Sequence, residues 1–234
     1  MTSYESPEKY VVGRDADGVV TVGGRPYPMA EEVVATEDVI QKRIKELARE
    51  VADAYKFEKH RDSRNQGSDV QVPITDDNPL VIISVLKGSY IFTADIVRHL
   101  SDFGLSNVVD FLRATSYRGT TESSGTVQVL ENIRFKDLDG KHILIMEDIV
   151  DTGRTLKHLV ESILREHKPA SLKVCVLADK PEGRIVPFKA DFVGLTVPNR
   201  YVVGYGFEVN DRYRNYRHIF ILKPEYAKRF PAAL

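Results

Sequence analysis

The sequence predicts an α/β fold, with an open, mostly parallel sheet flanked by helices and a small hood, or cap, from both chain ends. Short runs rich in Val, Ile and Leu recur along the chain, at 80–86, 108–112, 142–146, 172–178 and 192–197. Amphipathic stretches of helical period lie among them, at about 89–100 and 152–167. Apolar strands joined through helices are typical of a parallel sheet whose strands are buried on both faces.

Before these runs the sequence predicts a small β-structure and then one long helix. Residues 11–28 alternate Val with small or polar residues around Asp17-Gly18 and Gly23-Gly24, which is the signal of a hairpin. Thr36 followed by two acidic residues predicts a helix start. The next apolar residues recur at helical spacing and predict one buried stripe, formed by Ile40, Ile44, Leu47, Ala48, Val51 and Tyr55.

The remaining segments predict one core with a cap. Residues 58–79 are polar and show no period, which predicts a surface insertion. Residues 201–222 carry two apolar runs separated by a charged segment, and we expect them to pack with the N-terminal segment. The predicted division is a core over 36–200 and a hood formed by 1–35 and 201–234, with the hood contributing to ligand binding.

The composition of the 234-residue chain is that of a globular protein. Hydrophobic residues make up 42% and charged residues 29%, which excludes disordered, collagen-like and coiled-coil classes. The 33 basic and 34 acidic residues leave a net charge of −1, so we predict neither a nucleic-acid partner nor a membrane partner. The single cysteine, Cys175, lies inside an apolar run and is predicted to be a buried thiol in a reducing compartment.

The sequence predicts a soluble, cytoplasmic protein. No apolar run reaches the roughly 18 residues that a membrane helix needs. The first residues lack the basic and then hydrophobic pattern of a secretory signal. The last three residues, Ala232-Ala233-Leu234, share only a small first residue and a final Leu with a peroxisomal signal, which is a weak indication of import into a glycosome or peroxisome.

The most informative segment follows the run at 142–146. In open α/β sheets ligands bind outside the carboxyl ends of the strands. Glu147 and Asp148 come directly after the apolar run, and adjacent carboxylates suit a sugar diol and Mg²⁺. Residues 152–155, Thr-Gly-Arg-Thr, offer hydroxyls and free amides at a predicted helix N-terminus, which suits a phosphate monoester. The segment therefore predicts a site for a phosphorylated sugar.

A simpler interpretation also exists for each of these residues. Asp151 or Thr152 could merely cap the helix, with Glu147 and Asp148 as solvated acids near its positive end. For any single residue this interpretation is the better one. For the whole segment, in which all these residues occur together in this order, the site for a phosphorylated sugar is the better interpretation.

Residues 142–155 resemble the phosphoribosyl pyrophosphate motif of type I phosphoribosyltransferases, and most closely that of the 6-oxopurine branch, the hypoxanthine-guanine and xanthine phosphoribosyltransferases. The resemblance extends over about residues 30–226, and several separate motifs agree in order. It implies the type I phosphoribosyltransferase fold. It also implies that Glu147 and Asp148 hold the ribose hydroxyls, partly through Mg²⁺.

The same resemblance implies a role for the loop that follows the acid pair. The 5′-phosphate is expected on the residues of this loop: Asp151, Thr152, Gly153, Arg154 and Thr155. The carboxylate of Asp151 is expected near N7 of the purine as general acid/base. The family has Lys or Arg at position 154, so Arg154 fits the pattern.

Two further segments match the family. Ser84-Val85-Leu86-Lys87-Gly88 resembles the pyrophosphate loop, in which the peptide bond after the Leu is cis, and this implies pyrophosphate binding by Lys87 and Gly88. Residues 116–125, which begin with Ser116 and Tyr117, resemble the mobile flap that closes over the reacting groups. Without the resemblance, the first segment is only a surface Lys before a helix and the second only a loop.

The base-binding side is implied by three positions. Lys180 matches the residue that donates to O6 of the purine, and a fixed donor there favours a 6-oxo over a 6-amino purine. Tyr201 matches the aromatic that stacks on the ring, with Val202 beside it. Arg214 matches the family Arg that binds pyrophosphate. Taken alone, Tyr201 is as readily a core aromatic, and Arg214 a solvated surface charge.

Glu208 departs from the family pattern. The hypoxanthine-guanine enzymes usually carry Asp there, which coordinates a second Mg²⁺, so the resemblance implies three metal-binding carboxylates: Glu147, Asp148 and Glu208. The surrounding stretches look most like the xanthine-using enzymes of kinetoplastid parasites. The side chain of Glu208 is one methylene longer than that of Asp, which affects the position of the backbone near the purine 2-substituent. The sequence therefore does not rank hypoxanthine, guanine and xanthine as substrates.

The activity implied is transfer of the 5-phosphoribosyl group from phosphoribosyl pyrophosphate to N9 of a 6-oxopurine, which gives IMP, GMP or XMP and pyrophosphate. The family usually forms homodimers or homotetramers. One alternative is a non-catalytic regulator that senses phosphoribosyl pyrophosphate; such a protein would be free to lose Asp151, Lys87 and Tyr201, and all three are present. A phosphorelay receiver or a haloacid-dehalogenase-like phosphotransferase is a third hypothesis, and it predicts a phosphorylated Asp.

Overall fold

We describe the protein from a computed structural model over residues 10–57, 73–115, 128–129 and 138–229. Most of the predicted insertion, the predicted flap residues Ser116 and Tyr117, and the C-terminal tail lie outside these ranges. Within them, no helix is both long and apolar enough to cross a membrane.

The N-terminal part confirms the predicted hairpin and helix. Three short antiparallel strands come first and a fourth strand leads into the long helix: β1 (Val12–Arg14), β2 (Val20–Val22), β3 (Arg25–Pro26), β4 (Ala30–Ala35) and α1 (Glu37–Phe57). The predicted stripe of α1 is buried, with Ile40, Ile44 and Leu47 fully enclosed. Hydrophobic burial of this one face therefore holds the helix against the sheet.

The start of α1 is capped from a distant part of the chain. The backbone N–H of Glu37 donates to Nδ1 of His218, 2.9 Å away. Burial lowers the pKa of His218, which favours the neutral ring that this acceptor role requires. The hydroxyl of Thr36 is buried without a hydrogen-bond partner among the described residues, so it marks the helix start without capping it.

A six-stranded sheet forms the centre of the fold, in the order β10-β9-β8-β5-β6-β7. The first five strands in that order are parallel and β7 is antiparallel to β6. The elements of this region follow in chain order: β5 (Leu80–Leu86), α2 (Tyr90–Asp102), β6 (Asn107–Thr115), β7 (Gln128–Val129), β8 (His142–Val150), α3 (Arg154–Glu166), β9 (Ser171–Asp179) and β10 (Phe192–Thr196). The predicted mostly parallel α/β sheet is confirmed.

Helices cover both faces of this sheet because successive strand residues point to opposite sides. Ile82 and Leu144 belong to a core cluster with α1 and α2, whereas their neighbours Ile83 and Ile145 pack in another cluster with α3. Cys175 is a buried free thiol in the first cluster, as predicted.

The prediction that every strand is buried on both faces is wrong for β6. Val108, Val109 and Phe111 are exposed, and Leu112 is buried. Only the two residues of β7 pair with the outer side of β6 in the described part of the chain. A strand next to the sheet edge is less covered than a central one, which the apolar run at 108–112 does not reveal.

The C-terminal part packs against β4, as expected. The chain ends in β11 (Val202–Val203), β12 (Ile219–Leu222) and α4 (Pro224–Lys228), and the strands form an antiparallel sheet in the order β11-β12-β4. Phe220 and Val203 share a core cluster with Val20, Val22 and Tyr27 from the N-terminal strands. The predicted limits of a core and a hood remain a prediction.

Two boundaries near the informative segment differ from the prediction. β8 extends to Val150, so Glu147 and Asp148 lie inside the strand instead of after its end; Glu147 pairs in register with Val176 of β9. Helix α3 begins at Arg154, and Gly153 precedes it in the left-handed conformation, with φ of 81°. The first difference arises because strand pairing with β9 continues past the apolar run, and the second because the left-handed conformation of Gly153 cannot belong to a right-handed helix.

Candidate active site

A cavity of about 370 Å³ opens at the carboxyl edge of the parallel sheet. Strands β5, β8 and β9 end there side by side, since they are parallel neighbours. The lining comes from these strand ends, from the loop before α3 and from the C-terminal part. It includes most of the residues singled out in the sequence: Gly88, Glu147, Asp148, Asp151, Thr152, Gly153, Thr155, Lys180, Tyr201, Val202, Glu208 and Arg214.

The acid pair forms the floor of this cavity. Burial and the neighbouring charge of Asp148 raise the pKa of Glu147 well above its usual range, and burial raises the pKa of Asp148. The Cα of Gly88 lies directly over Asp148, since a Cβ built there would be 1.8 Å from its Oδ2. The pair thus favours the approach of a cation or of hydroxyl donors, either of which would offset the repulsion.

Asp151 and Lys180 form a second pair at the cavity wall. The ammonium of Lys180 donates to Oδ2 of Asp151, 3.1 Å away. The Lys180 side chain is 10% exposed and that of Asp151 is 46% exposed, so the cation is held within the wall while the carboxylate faces the cavity. A hydrogen-bond donor and a carboxylate are therefore available to one planar ligand.

Gly183 packs against this pair. A Cβ at position 183 would lie 2.2 Å from Oδ1 of Asp151 and 3.3 Å from Cδ of Lys180. On the general acid/base role that the resemblance implies for Asp151, we expect Gly183→Ala to displace its carboxylate and to lower kcat about 10- to 100-fold, because misplacing a reacting group by about 1 Å has effects of this size. Steady-state kinetics on the folded variant measure this.

The matched control for that substitution is Gly13→Ala. Like Gly183, Gly13 has no positive φ, and a Cβ built on it would meet only Oγ1 of Thr21 at 3.4 Å, which is an ordinary contact. A Gly183→Ala protein with kcat equal to that of the Gly13→Ala protein would contradict the close packing against Asp151.

Another part of the site carries two cations held by a fourth carboxylate, that of Asp211. The peptide bond between Leu86 and Lys87 is cis, as the resemblance implies. Lys87 donates to Oδ2 of Asp211 at 2.9 Å, and Arg214 donates to Oδ1 at 2.9 Å. Hydrogen bonds from these two cations hold the pKa of Asp211 below its usual range. The Nε of Arg214 is buried and has no hydrogen-bond partner within the described part of the chain.

Glu208 lies in the same part of the site. Its Oε2 accepts from the backbone N–H of Asp211 at 2.6 Å, and its Oε1 is 3.8 Å from Arg214. Within the residues that the structure describes, no three His, Cys, Asp or Glu side chains lie close enough together to hold a metal ion. Glu208 and the acid pair therefore line one cavity without forming a single ligand cluster.

Two predicted residues lie beside the cavity instead of lining it. Lys87 is exposed and reaches Asp211, and Arg154 is exposed at the start of α3. Ser116 and Tyr117 lie outside the described residues. Two features of the site were not predicted: Phe207, which lines the cavity next to Glu208, and Asp211, which holds the two cations. An aromatic beside a predicted ligand was the available signal for Phe207; no local pattern indicated the pairing of Asp211.

Comparison with known proteins agrees with this arrangement. Residues 41–211 match the family model described as the phosphoribosyl transferase domain. The fold, the cavity at the carboxyl edge and this match together define a phosphoribosyltransferase.

The relatives narrow the class further. The hypoxanthine-guanine phosphoribosyltransferase of Leishmania donovani is 40% identical over 207 residues, 88% of this chain and 90% of that protein. The enzyme of the same name from Bacillus subtilis is 40% identical over 194 residues, 83% of this chain and 94% of that protein. A solved structure of Trypanosoma cruzi hypoxanthine phosphoribosyl transferase is 45% identical with a TM-score of 0.75, covering 88% of this chain and 98% of that one. The chain belongs to the hypoxanthine-guanine phosphoribosyltransferase family and is a purine-salvage enzyme.

Proposed function

We propose that this enzyme transfers the 5-phosphoribosyl group of phosphoribosyl pyrophosphate to N9 of a 6-oxopurine. The observation that carries the proposal is one cavity with three chemically distinct walls: the acid pair, the Asp151–Lys180 pair, and a cation wall formed by Arg214, with Lys87 just beside the cavity and joined to Arg214 through Asp211. A phosphorylated sugar with a leaving pyrophosphate and a planar base needs these three environments. The products are IMP, GMP or XMP and pyrophosphate.

The acid pair would hold the ribose hydroxyls, and its raised pKa values support Mg²⁺ as a partner. Mg²⁺ is usually bound through one or two carboxylates completed by substrate oxygens and water, which fits a pair of adjacent acids without a third ligand beside them. Glu147 and Asp148 would hold one ion and Glu208 would serve a second. The metal would neutralise charge on the leaving pyrophosphate.

The pyrophosphate would lie against the cation wall. The unpaired, buried Nε of Arg214 supports an anionic ligand there, because a buried donor without a partner costs free energy. Lys87 and the amide of Gly88 would complete this subsite, with Asp211 giving way as the stronger anion enters. Stabilising the departing charge in this manner is an electrostatic form of catalysis.

The 5′-phosphate would bind to residues 151–155, and the base would lie between Tyr201 and the Asp151–Lys180 pair. Tyr201 lines the cavity with 56% of its surface exposed, which leaves its ring face available for stacking. Lys180 would donate to O6, and Asp151 would accept or return the proton at N7. Val202 and Glu208 would border the purine 2-position.

Lys180 provides a prediction about base selection. Replacing Lys180 by Met is expected to lower kcat/KM for hypoxanthine about 10- to 100-fold, because it removes a hydrogen bond from a charged donor. The KM for phosphoribosyl pyrophosphate should change much less. Lys189→Met, on an exposed residue of the same loop, is the matched control. An equal effect on both substrates would contradict the assignment of Lys180 to the base.

Pyrophosphate release tests the proposed reaction. Purified protein, Mg²⁺ and phosphoribosyl pyrophosphate are combined with hypoxanthine, guanine, xanthine or adenine in turn. We expect release with one or more of the 6-oxopurines and little with adenine. Release that does not depend on a base, or that occurs equally with adenine, would overturn the proposal.

Two further expectations remain proposals. Homodimers or homotetramers are supported by the exposed apolar side chains of β6, since patches of this kind often mark interfaces. A cytoplasmic location is proposed from the sequence, and the Ala-Ala-Leu tail gives little support to glycosomal or peroxisomal import. The regulator hypothesis is not favoured, because the relatives are named as transferases.

A further inference from the structure

We propose that Arg184, which does not line the cavity, is a positioning residue that orients the 5′-phosphate loop. The proposal rests on the proposed function of residues 151–155. Arg184 lies just after the short 3₁₀ turn Pro181–Gly183, in a loop packed behind the cavity wall. Its guanidinium makes two contacts there: Nη1 donates to the backbone carbonyl of Asp151 at 2.6 Å, and Nη2 donates to the carboxylate of Asp179.

Donors from the segment after β9 hydrogen-bond to three successive backbone carbonyls, those of residues 150–152, where the phosphate loop begins. The carbonyl of Val150 accepts from the backbone N–H of Lys180 at 3.0 Å. The carbonyl of Thr152 accepts from the N–H groups of Ile185 at 3.0 Å and Val186 at 3.2 Å. The carbonyl of Asp151, between them, accepts from the Arg184 side chain. All three carbonyls therefore point toward the segment 180–186.

This orientation decides where the amides point. In a planar trans peptide the C=O and the N–H point in opposite directions. The amides of residues 151, 152 and 153 consequently point away from the segment 180–186, and these same residues line the cavity. Successive amides aimed at one point next to a helix N-terminus form an anion site. The groups that hydrogen-bond to these carbonyls thus set the geometry of the phosphate loop.

Among the groups that donate to these three carbonyls, Arg184 is the one that a substitution can remove. The carbonyls of Val150 and Thr152 are held by backbone groups, which side-chain changes leave in place. The carbonyl of Asp151 is held by a side chain that is anchored on the end of β9, because Asp179 pairs in register with Val150. Arg184 therefore ties the peptide between Asp151 and Thr152 to the rigid sheet.

The steric environment supports the same role. A Cβ built on Gly153 would meet Cδ of Arg184 and Cβ of Phe188, each at 3.0 Å. The Arg184 stem thus packs directly behind the left-handed residue that precedes α3. Its charge is neutralised by Asp179, so its contribution is geometric and does not come from direct attraction of phosphate.

The test compares two ligands that the proposed function places at different parts of the site. Ribose 5-phosphate uses the phosphate loop, and pyrophosphate uses Lys87 and Arg214. Arg184→Met keeps the length of the stem and removes both hydrogen bonds. We expect it to weaken ribose 5-phosphate about tenfold and to leave pyrophosphate within about twofold, measured by isothermal titration calorimetry with Mg²⁺. Arg165→Met, on an exposed arginine of α3, should change neither affinity.

Two further variants keep the proposal falsifiable if Arg184→Met does not fold. Arg184→Lys retains the charge without the planar fork and should weaken ribose 5-phosphate selectively. Asp179→Asn retains an acceptor oxygen for Arg184, so this variant should bind ribose 5-phosphate with nearly unchanged affinity. A folded Arg184 variant that binds both ligands like the unaltered enzyme, or weakens both equally, would overturn the proposal. An unaltered enzyme that binds no ribose 5-phosphate would overturn the proposed function as well.

Discussion

Replacing Asp151 by Asn is expected to lower kcat with hypoxanthine about 10²- to 10⁴-fold, the range observed for general acid/base groups. The amide keeps the shape of the side chain and can still accept a hydrogen bond from Lys180, but it cannot take up the N7 proton. The KM for phosphoribosyl pyrophosphate should change little, because in the proposed function residues 151–155 would hold its 5′-phosphate through backbone groups and hydroxyls. Steady-state kinetics with each substrate varied in turn measure both quantities.

The control for Asp151 is Asp102→Asn, on an exposed residue near the end of α2. It removes the same charge without touching the cavity. If Asp151→Asn retained the turnover of the Asp102→Asn enzyme, Asp151 would have no role in proton transfer.

The double variant Glu147→Gln with Asp148→Asn should bind phosphoribosyl pyrophosphate at least about 100-fold more weakly, since it removes two charged acceptors for the ribose and the metal. The same variant should unfold at a higher temperature than the original protein when both are free of ligands and Mg²⁺. Burial raises the pKa values of both carboxyl groups, and the charge of Asp148 raises that of Glu147 further, so the ionised forms destabilise the fold.

This destabilisation has a definite pH dependence. A carboxyl group whose pKa is higher in the folded than in the unfolded state contributes stability at low pH, and that contribution is lost as pH rises through the folded pKa. The original protein should therefore lose stability relative to the double variant as the pH rises above the ordinary range of carboxyl groups. Thermal unfolding in the presence of a chelator measures the difference. Parallel stability curves for the two proteins would contradict the repulsion within the pair.

The core of the fold was predictable because its signals are local. The stripe of α1 and the apolar runs of the parallel strands follow from the periods of helix and strand, and the structure confirms them. The acid pair and the loop before α3 were recognisable because their residues are contiguous. A parallel sheet then brings the strand ends together, so Glu147 and Lys180 line one cavity although they are 33 positions apart in the sequence.

The remaining features depend on packing between distant segments. The ion pair of Lys87 with Asp211 joins residues 124 positions apart, and the cap of Glu37 by His218 joins residues 181 apart. The exposure of Phe111 depends on which elements cover β6, and the extension of β8 depends on its pairing with β9. Arg184 belongs to this group, since its partner atom is a backbone carbonyl that has no sequence signature.

The most direct test of the central claim, that one cavity binds sugar, phosphate and base on separate walls, is a crystal structure with bound inosine 5′-monophosphate. We expect the phosphate on the amides of residues 151–155, the ribose hydroxyls against Glu147 and Asp148, and O6 within hydrogen-bond distance of Lys180. A nucleotide bound outside this cavity, or bound in it with the base against the acid pair and the phosphate at Lys180, would contradict the proposed function.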